Sequence, residues 1–155
     1  MNVTKIISGG QTGADRAALD FAIENKIEIG GFVPNGRLAE DGPLSDKYIN
    51  LVETDTSDNA ERTEMNVIHS DATLIVSNDK LSGGSKLTEQ LVLKHRKPIL
   101  HIDLLRVSMT YAAAKVRVWL SASRCETLNV AGPRASKDPA VYEDTFSLLK
   151  LVFEK

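Results

Sequence analysis

A chain of 155 residues, 42% hydrophobic and 26% charged, has the length of one packed domain and a composition that does not favour disorder. Its formal net charge of −2, with no basic run, excludes the usual electrostatic footprint of a nucleic-acid or anionic-membrane partner. The single cysteine, Cys125, rules out an intrachain disulfide, and no apolar run approaches the ~18 residues of a membrane span.

In chain order, Val3–Ser8 is a short apolar run that stops at Gly9-Gly10. A helical pattern follows from about Gly13, with Ala17, Ala18, Phe21 and Ala22 on one face. Ile27–Val33 reads as a second strand, ended by Pro34-Asn35-Gly36. The polar stretch from Arg37 to Asp55 is long for a structureless loop, so it is expected to be a functional flap or to hold short elements.

Ser57–His69 has helical character, with Ser57 or Asp58 as N-cap and Glu61 near the third position of a capping box. Three clear βα units come next. Ala72–Ser77 and Pro98–Ile102 are strands, and Ser85–His95 and Ser108–Ser121 are helices. A strand near Thr127–Val130 and a closing helix over Asp138–Phe153 complete the chain. Continuous apolar strands alternating with helices predict an α/β fold. The expected architecture is Rossmann-like and doubly wound: a mainly parallel sheet of five to seven strands, helices on both faces, and a single domain over residues 1–155.

Ligands of such sheets bind beyond the carboxyl ends of the strands, and three loops there carry special residues. The first holds Gly9, Gly10, Gln11, Thr12 and Gly13, with Arg16 in the following helical turn. Glycines permit close approach to an anion, and unpaired N–H groups at a helix start point at it. The spacing is neither a P-loop nor a dinucleotide fingerprint, and a βα turn whose glycines only pack is the alternative. The second loop repeats the design with Gly83, Gly84, Ser85 and Thr88; Glu89 there is a base, a ribose partner, or a solvated residue pairing with Lys86. The third is Asn129, Gly132 and Arg134 around Pro133, which also fits ordinary turn chemistry. Arg37 and Arg62, at either end of the flap, are further candidates for the ligand. Cys125 reads as a small buried filler and Trp119 as core. His69, His95 and His101 lack metal-ligand spacing.

The strings IISGGQTGADRAALDFA, PNGRLAEDGPL, RTEMNVIHSDATLIVS, LSGGSKLTEQ, KPILHIDL and LNVAGPRAS, in this order, resemble the molybdenum cofactor carrier family over nearly the whole chain. That family is similar to the Rossmann-like superfamily that includes the Lonely Guy phosphoribohydrolases, once misnamed lysine decarboxylases. The resemblance implies a pocket at the strand ends and a homodimer or homotetramer. It further implies molybdenum cofactor (molybdopterin) as cargo, a pterin with a dithiolene and a phosphate, in transit to molybdoenzyme apoproteins. Gly9, Gly10, Gln11, Gly13 and Arg16 match its first motif; Gly83, Gly84, Ser85 and Thr88 its second; Asn129, Gly132 and Arg134 its third.

The phosphoribohydrolase motif is Pro-Gly-Gly-x-Gly-Thr-x-x-Glu, and this chain departs from it. Aligned on Gly83-Gly84, it has Ser82, Lys86, Leu87 and Gln90 at the Pro, third Gly, Thr and Glu positions. A Gln supplies no general acid or base, so that hydrolytic mechanism is not expected. Two readings follow: a non-catalytic cytoplasmic carrier of a small phosphorylated ligand, or a nucleotide-binding sensor or nucleoside monophosphate phosphoribohydrolase-like enzyme. Glu89, Asp15 or Glu64 would be the base of the second.

Overall fold

The computed structural model describes residues 1–155. In chain order its elements are β1 (Lys5–Ile7), α1 (Ala14–Glu24), β2 (Glu28–Val33), β3 (Leu38–Ala39), β4 (Gly42–Pro43), β5 (Leu51–Glu53), α2 (Asn59–Ile68), β6 (Ala72–Ser77), α3 (Gly83–Lys94), β7 (Ile99–Asp103), α4 (Met109–Ala122), β8 (Thr127–Ala131) and α5 (Val141–Val152). Six strands form one sheet in the order β5-β2-β1-β8-β6-β7, and every pairing in it is parallel. The apolar rows are in register, with Ile6 opposite Ile29 on one side and Leu128 on the other.

Helices α1, α5 and α4 pack side by side on one face, while α2 and α3 cover the other. This is the expected doubly wound α/β sheet. All six residues of β6, which lies between β8 and β7, are buried, which explains their apolar and small character. The α1–α5 seam is aromatic: Phe21 meets Phe146 edge-on at 5.8 Å between centroids, and Phe153 at 5.4 Å. Cys125 is buried, and burial pushes its thiol up to about 12, as suits a packing residue.

Several local expectations shift. The 37–55 segment resolves into a β3–β4 hairpin and the edge strand β5. Helix α3 starts at Gly83 rather than Ser85, and α5 at Val141 rather than Asp138. Asp58 does cap α2, accepting the Ala60 N–H at 2.9 Å. The reciprocal half of a capping box is absent, because the Glu61 carboxylate accepts instead from the Asp55 N–H and the Thr56 hydroxyl.

The winding moves outward from β1 to β2 and β5, then crosses to β6 and moves outward again to β7. The last strand, β8, inserts between β1 and β6. The switch of direction therefore falls where the loops after β1, β8 and β6 meet, the place at which open α/β sheets bind ligands. Counted from β6 instead of β1, the same sheet reads 2-1-3-4-5-6, which contains the flavodoxin-like order 2-1-3-4-5.

Candidate functional site

A cleft of about 340 Å³ opens at that switch point, walled by the loops after β1, β6 and β8 and by the first turns of α2. Its wall mixes polar and charged groups with apolar surface from Leu81, Leu87, Ala131, Pro133 and Pro139, and carries no aromatic side chain. Of the residues expected at a ligand, Gly9, Gln11, Arg62, Gly84, Ser85, Thr88, Asn129, Gly132 and Arg134 line it.

The two glycine loops expected to cradle anions differ in what their N–H groups do. At α1 the approach to the helix start is partly occupied. The Ala14 N–H donates to the Pro133 carbonyl at 3.4 Å, and the Gln11 N–H to Asp15 Oδ2 at 3.4 Å. At α3 the N-cap Ser82 makes no side-chain capping bond, and the N–H groups of Gly83 and Gly84 have no protein acceptor. The space beside Gly83 is taken by Lys137, whose Nζ lies 2.7 Å from where a Cβ would stand. Free N–H groups, the positive end of the helix dipole and an ammonium group lie together there.

Arg62 reaches from α2 across to the β1 loop. Its Nη1 donates to the Gly9 carbonyl at 2.5 Å and its Nε to the Asn59 carbonyl at 3.3 Å. Only 8% exposed, it faces Asp15 at 3.8 Å, too long for a hydrogen bond. Burial lowers the Arg62 pKa, the Asp15 charge opposes this, and the like charge of Arg134 adds to it. Burial also pushes the Asp15 carboxyl up to about 6, against the opposing effects of Arg62, the Gln11 N–H, Arg16 and the Gly132 N–H. Gly132 must lack a side chain, since a Cβ there would stand 2.3 Å from the Val76 carbonyl and 2.6 Å from Ala14 Cβ.

Gly10, Thr12, Gly13, Arg16, Arg37 and Gly83 are not on the cleft wall. Arg16 turns to the flap, pairing with Asp41 at 3.0 Å and donating to the Gly10 carbonyl. Arg37 staples the flap to itself through the carbonyls of Ser45 and Tyr48. Thr12 donates to Glu40, and Glu40 also accepts from Ser136, clasping the flap to the β8–α5 loop. Gly10 and Gly13 take positive φ of 73° and 84° and pack against Leu44 and the Pro133 carbonyl. Gly83 lies at the α3 start, beneath Lys137.

Of the three acids considered as a base, only Asp15 reaches the cleft. Glu64 pairs with Lys94 and His95. Glu89 pairs with Lys86 at 2.6 Å and lines a separate groove at the β7 edge. Gln90 is exposed and lines neither. The sequence reading missed Lys137 and the clamp on the cleft's outer wall, where Asp138 accepts from both the backbone and the side chain of Asn78.

A family model, the circularly permutated YpsA SLOG family, matches residues 6–153, and the chain belongs to that family. Permutation agrees with a sheet whose order becomes regular when counted from β6. The crystal structure of a putative molybdenum carrier protein from Syntrophus aciditrophicus SB is 54% identical, covers 97% of this chain and 95% of its own, and superposes with a TM-score of 0.96. A search of curated proteins finds no match. No helix is long and apolar enough to cross a membrane.

Proposed function

We propose that this protein is a carrier that binds the molybdenum cofactor in the switch-point cleft. The observation that carries the reading is the pair of unpartnered N–H groups at Gly83 and Gly84 beneath Lys137. They form a seat for the cofactor's phosphate. The polar side chains on the wall suit a pterin, whose ring edges carry several donors and acceptors. Without aromatic rings to sandwich it, the flat guanidinium groups of Arg62 and Arg134 offer the stacking planes. The cofactor's dithiolene holds its own metal, so the protein needs no cysteine at the cleft. The Syntrophus protein, described as a putative molybdenum carrier, supports a cargo that contains molybdenum. Recipient molybdoenzyme apoproteins and a homo-oligomeric carrier fit this role.

A phosphoribohydrolase-like role is less well supported, because no carboxylate of α3 faces the cleft: Gln90 is exposed and Glu89 is paired elsewhere. A nucleotide sensor would use the same seat. Native mass spectrometry of gently purified protein, with thermal-shift titrations of molybdenum cofactor, molybdate and nucleoside monophosphates, separates the readings. The carrier reading expects cofactor to co-purify or to stabilise strongly, and bound cofactor to oxidise more slowly than free cofactor. Stabilisation by nucleotides alone, or no protection from oxidation, overturns it.

A further inference from the structure

Resting on that binding reading, we propose that Asp15 selects the heterocycle. Its carboxylate would accept the two adjacent N–H donors of a 2-amino-4-oxopyrimidine edge, which pterins and guanine share, while the phosphate lies at the start of α3.

Asp15 is only 6% exposed, yet it stands on the cleft wall. An ionised carboxylate offers about four acceptor positions. Here Oδ2 accepts one long bond from the Gln11 N–H at 3.4 Å, the Gly132 N–H also faces the carboxylate, and Arg62 Nη1, at 3.8 Å, already donates to Gly9. The carboxylate is therefore little exposed and not saturated by protein donors, and the acceptor capacity left over faces the cleft. Its raised pKa, set mainly by burial, is what too few donors would produce. A ligand edge bringing two parallel N–H groups supplies what the protein withholds.

The spacing agrees. Asp15 follows β1, the phosphate seat follows β6, and only β8 lies between them. Two strand spacings put these loops on the order of 10 Å apart, about the span of a mononucleotide-sized ligand. Asn129 of β8 lies between, also on the cleft wall. Its Nδ2 donates to Thr73 Oγ1, and its carbonyl oxygen has no protein donor. It adds one more acceptor along the ligand's path. Adenine would present a ring-nitrogen lone pair to the Asp15 carboxylate, and hypoxanthine a single donor, so both leave a buried acceptor poorly matched.

The test is calorimetric titration of the full chain with GMP, IMP, AMP, a hydroxymethylpterin phosphate and inorganic phosphate, repeated with Asp15→Asn. The proposal expects GMP and the pterin phosphate to bind at least tenfold more tightly than IMP and AMP. It expects Asp15→Asn, checked as folded by circular dichroism, to reduce that preference to within about twofold. Equal binding of all four ring compounds by the wild-type protein overturns the proposal whether or not the variant folds. So does a folded variant that keeps the preference. If the ring compounds bind alike, the carrier reading with its phosphate seat at α3 survives; if neither they nor phosphate bind, both fall.

Discussion

Arg62 Nη1 lies 2.5 Å from the Gly9 carbonyl oxygen, and a Cβ on Gly9 would stand 2.2 Å from that same nitrogen. The absence of a side chain at Gly9 is therefore what lets α2 anchor itself to the β1 loop, and the anchor forms one wall of the cleft. Gly9→Ala must displace a guanidinium that is held by two carbonyls and nearly buried. The expected cost is about 1–3 kcal/mol in urea unfolding, typical of overpacking, together with weaker ligand binding. Unchanged stability with unchanged binding would show that Arg62 has a second position of equal energy.

The two glycines that open α3 should respond in opposite directions to alanine. Gly84 has nothing within 4 Å of its would-be Cβ and no positive φ, so Ala there should stabilise the free protein by about 0.5–1 kcal/mol through helix propensity. Gly83 has φ 51° and Lys137 Nζ 2.7 Å from its Cβ position, so Ala should strain the helix start and push the ammonium aside. Thermal melts of the free proteins check the first effect. Phosphate titrations check the second, with Gly83→Ala and Lys137→Ala both expected to weaken binding several-fold. Lys137 is exposed, so its removal should leave the melting temperature nearly unchanged.

The short, partly exposed edge strand β5 was not legible in the sequence. The other five of the six strands were, because they are short, mainly apolar runs that alternate with helices carrying an apolar face every three or four residues. Ala72–Ser77 illustrates this, since every residue expected in the strand lies in it and all are buried. The site was legible only in outline. A glycine-rich loop before a helix looks the same in sequence whether the N–H at the helix start is free, as at Gly83 and Gly84, or taken, as at Ala14. What takes the latter is the carbonyl of Pro133, far along the chain and visible only once β8 lies beside β1. Helix phase hid a second feature. Asp15 and Arg16 are neighbours in sequence, yet about 100° separates them around α1, so one faces the cleft and the other the flap.

That division makes Arg16 a residue of the fold. Its guanidinium pairs with Asp41, donates to the Gly10 carbonyl and sits 5.7 Å from the Tyr48 ring centre. Arg16→Ala should loosen the flap at a cost of about 1 kcal/mol, since Asp41 is exposed and water screens the pair. Hydrogen exchange over residues 34–50 should speed up. Affinity for a phosphorylated ligand should change less than about twofold. A large loss of affinity with a rigid flap would instead put Arg16 at the ligand.

Asp15 should also leave a signature in the pH dependence of folding. Its carboxyl ionises near 3.8 when exposed and near 6 in the fold, where burial outweighs Arg62, Arg16 and the N–H groups of Gln11 and Gly132. Between those values the folded protein holds more protons than the unfolded chain. This contribution to stability is complete below about pH 4 and is lost as the pH rises through about 6. A shift of roughly two units corresponds to about 3 kcal/mol. Urea unfolding of wild type and Asp15→Asn at pH 4 to 8 isolates the effect, because the other titrating groups are common to both proteins. The difference between them should move by about that amount in the variant's favour as the pH rises. A flat difference would mean the buried carboxyl titrates normally. A ligand that donates N–H groups to the ionised carboxylate should move the step to lower pH, whereas inorganic phosphate at the α3 seat should leave its position nearly unchanged.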